Sequence, residues 1–98
     1  MATKTKKLGP AKPWQLEIVF EYGQYDEREI ERVVGNGRVK YSDGSGVAIF
    51  TGERDMEWYF RTERDAKAAS ARLGRRFRKM SKSVRDIRKD EWYDDEDW

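Results

Sequence analysis

Nine cationic side chains, Arg72, Arg75, Arg76, Arg78, Lys79, Lys82, Arg85, Arg88 and Lys89, fall in one segment whose only acid is Asp86. Side chains of this kind neutralise phosphates and release their counterions, so residues 72–89 are a candidate surface for nucleic acid. The competing reading is a solvated face that keeps a polar chain in solution. Base stacking is a second chemistry the sequence offers. Aromatic residues make up 13% of the chain, four of them Trp, and bases stack on such rings without demanding a particular sequence. Arg38, Lys40, Tyr59 and Arg61 share one sheet face if the strands carrying them pair in register, and Tyr41 and Tyr59 are the rings with a claim to exposure. Against this, Trp14, Phe20, Trp58 and Phe60 suit a core, and Tyr59 could lie under a helix.

Catalysis is not indicated. The chain has no Cys and no His, which removes disulfides, the common zinc ligand sets, a thiol nucleophile and an imidazole base. Carboxylates are plentiful, but none is paired in an apolar setting that would raise its pKa, and the glycines fit no phosphate-loop spacing. The expectation is a binding protein, not an enzyme, with no cofactor and no metal. No stretch approaches the ~18 apolar residues of a membrane span. Residues 1–12 carry Lys4, Lys6, Lys7 and Lys12 with no apolar block behind them, unlike a secretory signal. A cytoplasmic location without a membrane partner is expected.

The net charge of +2 hides blocks of alternating sign. Residues 1–12 are basic, 13–71 mildly acidic, 72–89 strongly basic and 90–98 strongly acidic. The two ends read as tails, a basic arm over 1–13 and an acidic tail over 90–98, and leave 14–89 as a single domain. A unit this small buries only ~60% of its unfolded surface, so self-association into a homodimer is an expectation to test.

The tail, Asp90-Glu91-Trp92-Tyr93-Asp94-Asp95-Glu96-Asp97-Trp98, combines six carboxylates with three aromatic residues and ends on one. It resembles the acidic, aromatic-terminated C-terminal tails of bacterial and phage single-stranded-DNA-binding proteins. That resemblance implies that Trp92, Tyr93, Asp94, Asp95, Glu96, Asp97 and Trp98 recruit replication or repair partners and compete with DNA for the protein's own basic surface. It covers the tail alone, for nothing in 14–89 matches the barrel pattern of that family. Two other readings stand beside it: a solubilising tail, and a nucleic-acid mimic in a small phage inhibitor or adaptor of a host nucleic-acid enzyme.

These side chains need elements to hold them. Trp14, Leu16, Ile18, Phe20 and Tyr22 alternate with Gln15, Glu17 and Glu21, the period of a half-buried strand. Further short strands are expected over 38–42, 47–51 and 56–61, separated by turn formers at 42–46 and 52–55 and joined as an antiparallel meander. Residues 26–35 read two ways. Asp26 and Glu29 resemble a capping box with Gly35 as a stop, whereas Val33-Val34 running into Asn36-Gly37 is a hairpin signal; of the two, the strand is the expectation.

After Thr62 the period becomes helical, with Ala66, Ala69, Leu73, Phe77, Met80, Val84 and Ile87 on one face and the cations across from it. A break at Gly74, with a second helix from about Ser81, is the alternative. The expected fold is α+β, an antiparallel sheet of four or five strands covered by a C-terminal amphipathic helix. The expected function is binding of nucleic acid, single-stranded DNA above all, through Arg38, Lys40, Tyr59, Arg61, Arg72, Arg75, Arg76, Arg78, Lys79, Lys82 and Arg85.

Overall fold

Alternation along the first strand sets the architecture. A computed structural model of the chain describes residues 12–89, and in it Leu16, Ile18 and Phe20 point into the core while Glu17 and Glu21 face the other way. The elements are β1 (Trp14–Glu21), α1 (Glu27–Val34), β2 (Gly44–Ala48), β3 (Glu53–Phe60), α2 (Glu63–Arg76) and β4 (Ser81–Asp86), followed by a 3-10 turn at Ile87–Lys89. The strands lie in the order β2-β3-β1-β4, every neighbour antiparallel. Each helix connects two strands that flank a third, the split β-α-β topology, rather than the meander expected. Both helices pack on one face. Ile30 and Val34 of α1, and Ala66, Ala69 and Leu73 of α2, bury against Leu16, Ile18, Met56, Trp58 and Phe60. Trp58 is fully buried, and its indole Nε1 donates to the Lys40 carbonyl at 2.8 Å.

Residues 26–35 form a helix and not the expected strand. The Asp26 side chain accepts the Arg28 amide at 3.0 Å, and Glu27 and Glu29 occupy the positive end of the helix dipole. Asn36 and Gly37, read as a hairpin turn, instead stop this helix: both have positive φ, and the Gly37 amide bonds the Arg32 carbonyl at 2.9 Å. Asn-Gly supplies a left-handed backbone to either motif, so the dipeptide alone does not choose between them. Residues 38–42 are irregular rather than a strand, and β2 and β3 begin earlier than expected, with their hairpin turning on Gly52 at φ 74.

The long C-terminal helix is the largest departure. Its start is as read, with the Thr62 hydroxyl accepting the Asp65 amide, but it ends at Arg76, past Gly74, and the chain returns as β4 along β1. Val84 therefore lies opposite Leu16 on the sheet, and Met80 fills the core from a turn. Without β4 the backbone of β1 would be a bare edge, so pairing there satisfies groups that a longer helix would have left open.

Candidate nucleic-acid interface

The expected sheet-face site does not assemble. Arg38 is exposed in the loop after α1, Lys40 lies half-buried with its ammonium 5.4 Å from the Phe60 ring, and Arg61 follows the end of β3, so none of the three stands on the open sheet face with Tyr59. That face is acidic. It carries Glu17 and Glu21 of β1 and Glu53, Asp55 and Glu57 of β3, with Glu17 directly opposite Glu57 and Glu21 opposite Glu53. Proteins that read single strands on an open sheet stack bases on aromatic residues there; phosphates would be repelled from this one.

Tyr59 is also not a free ring. Its hydroxyl donates to Glu57 Oε2 at 2.8 Å and accepts from Gln15 Nε2 at 3.3 Å, and Gln15 Oε1 accepts from Arg85 Nε at 2.7 Å. Burial, together with the bond to Glu57 and its charge, raises the Tyr59 pKa above the phenol's ordinary value. An acid whose pKa is higher in the folded than in the unfolded chain stabilises the fold below the unfolded pKa, near 10, and that contribution is lost as pH rises through the folded value. Tyr59→Phe is therefore expected to flatten the fall in melting temperature above about pH 10 relative to the parent. Identical alkaline melting profiles would show that this phenol is uncoupled from folding.

The basic segment divides into cations used by the fold and cations that are not. Arg72 is structural: its guanidinium donates to the carbonyls of Val33 at 2.9 Å and Val34 at 2.7 Å, the end of α1. Arg76 pairs with Glu29 at 2.6 Å, Lys82 Nζ bonds the Met80 carbonyl at 3.3 Å, and Arg85 belongs to the Gln15 network. Arg75, Arg78 and Lys79 are exposed and have no acidic partner among the described residues. Arg75 stands in the last turn of α2, and Arg78 and Lys79 in the short connection to β4, so the three lie at one corner. The helix dipole reinforces the preference for cations at the end of α2.

That corner borders an open cleft of about 800 Å³, lined by Phe20, Tyr22, Gln24, Thr51, Gly52, Lys79, Met80 and Ser81 together with Glu21 and Glu53. Tyr22 stands on the cleft and Phe50, fully exposed, on the neighbouring hairpin. Neither ring was singled out from sequence for exposure; Tyr22 ended an apolar alternation, and Ile49-Phe50 lay where a strand was expected. Among the described residues no group of three or more acids is placed to hold a metal ion, and no helix is long and apolar enough to cross a membrane. The tail residues Trp92, Tyr93, Asp94, Asp95, Glu96, Asp97 and Trp98 lie outside the described residues. No protein-family model matches the chain, and no significant match is found to a curated protein or to a solved structure.

Proposed function

We propose that the protein binds single-stranded nucleic acid at the α2–β4 corner, without catalysis, the phosphates resting on Arg75, Arg78 and Lys79 and the bases against Tyr22 and Phe50. The observation that carries this reading is a set of three exposed cations, close together in the chain and without acidic partners among the described residues, beside the end of the sheet where two exposed rings, Tyr22 and Phe50, stand. Glu21 and Glu53 on the cleft wall hold the phosphates to the α2–β4 side. A titration of a fluorescein-labelled single-stranded oligonucleotide, followed by anisotropy at two salt concentrations, tests it: binding at low salt that weakens steeply at high salt is expected, and no binding at low salt removes the reading.

The acidic tail enters as a tethered competitor. Residues 90–98 follow the basic segment directly, and their high effective concentration compensates for exposed ion pairs worth only ~0 to 1 kcal/mol each. Deleting them is expected to tighten oligonucleotide binding at low salt, with the difference shrinking as salt rises. Equal or weaker binding after deletion would remove the competitor and leave the tail as a solubilising segment or a partner-binding peptide. One observation favours a second reading, a protein-binding adaptor: Ile49 and Phe50 stand almost wholly exposed at the hairpin tip, where an apolar pair suits a protein partner.

A further inference from the structure

We infer that the outer edge of β2 receives an extended peptide carrying Lys or Arg at alternate positions. The sheet ends at β2 among the described residues, so that strand presents unpaired backbone donors and acceptors to an added strand. Edges are ordinarily protected by charge or proline. β4, the opposite edge, carries Lys82 and Arg85, whereas β2 is Gly44-Ser45-Gly46-Val47-Ala48, with neither.

The glycines say what such a strand would bring. Gly44 lies opposite Glu57 and Gly46 opposite Asp55 on the acidic face. Both carboxylates lean across: a Cβ on Gly44 would stand 2.9 Å from Glu57 Oε2, and one on Gly46 would stand 3.1 Å from Asp55 Oδ1. The acids of β3 thus sit over the bare backbone of β2. From there an added strand is one strand spacing away, about 4.8 Å, well within the reach of a Lys or Arg side chain. Glu57 is already held by Tyr59 and Gln15, while the Asp55 carboxylate has no hydrogen-bond partner among the described residues. Like charges facing each other across β1 and β3 cost stability, and a cationic strand would offset that repulsion. On the other face of β2, half-exposed Val47 meets the alternate residues, which favours Thr or Val there. A second copy of β2 is a poor occupant, since it brings no cation and would set Asp55 and Glu57 of two chains against each other. The edge is separate from the α2–β4 corner, so this inference stands or falls independently of the function proposed above.

The test uses the full chain and two peptides of equal charge, Lys-Thr repeated four times and a block of four Lys followed by four Thr. Affinity is read from the NMR signals of the β2 amides, so that binding to acids elsewhere does not enter. The alternating peptide is expected to slow exchange of these amides and to bind at least about fivefold tighter than the block peptide, because only it sets cations at the two-residue period. Asp55→Asn is expected to weaken it about fivefold, the scale of one exposed ion pair, with Glu57→Gln as a second variant. Unchanged β2 amide exchange, equal binding of the two peptides, or undiminished binding to both variants would overturn the inference.

Discussion

Replacing Arg75, Arg78 and Lys79 together by Glu is expected to abolish oligonucleotide binding at moderate salt while the domain stays folded. Each of these side chains is exposed and spends its charge on nothing else among the described residues. If all three contact phosphates, single-strand binding loses about 0.7 from its log–log salt slope per contact, a fall of about 2 in all, and affinity at low salt drops by 100-fold or more. Surface substitutions away from special features cost about 0.5 kcal/mol or less each. Arg75 is an exception, because Glu in the last turn of α2 opposes the helix dipole by about 0.3 to 1 kcal/mol. The triple Gln variant removes that complication and should show the same loss of slope. A folded triple variant that binds as tightly as the parent, with an unchanged slope, would mean that this corner is only solvated surface. Arg72, Arg76 and Arg85 are not expected to behave like this trio, since their guanidinium groups already bind protein acceptors.

The distinction between the two kinds of cation marks where sequence stops being sufficient. β1 was legible because one face of it is a nearly unbroken apolar series, and such alternation has one solution. α2 was legible over Thr62–Leu73 because a cap and three buried positions agree. The stretch beyond was not, since Met80 and Val84 satisfy both a helical stripe and a period-two strand, and what separates the two is the vacant edge of β1, a partner far away in sequence. The same long-range pairing hid the acidic face. Glu17 and Glu21 were visible as the polar half of β1, and Glu57 as the polar side of β3, but only their register puts Glu17 against Glu57 and turns two half-polar strands into one surface that repels phosphate. Arg38 and Lys40 were placed on that surface by a strand that does not form. There Arg38 to Ser42 alternate polar residues with Val39 and Tyr41, the strand period, but the Asn36–Gly37 helix stop and the bond from the Trp58 indole to the Lys40 carbonyl hold the segment irregular.

Arg72→Ala is expected to cost about 2 to 3 kcal/mol of folding stability, within the roughly 1.5 to 3 kcal/mol of hydrogen bonds made by a charged group, and to leave oligonucleotide binding little changed. The final carbonyls of a helix have no partner within it. In α1 two of them, from Val33 and Val34, are bound by this one guanidinium, the Val33 carbonyl also accepting the Asn36 amide at 3.1 Å. The side chain therefore does for α1 what a C-terminal cation does for the dipole and, at the same time, fastens α1 to α2 across the core. For a domain of this size each kcal/mol moves the melting temperature by about 4 to 8 °C, so a fall of about 8 °C or more is expected. Arg72→Lys should recover only part of it. An ammonium keeps the charge but lacks the planar fork that serves two acceptors at once. A thermal melt of the three proteins, followed by the same oligonucleotide titration, separates the structural role from a binding one. If Arg72→Ala melts with the parent yet loses affinity as the corner variant does, Arg72 belongs to the ligand and its bonds to α1 contribute nothing to the fold.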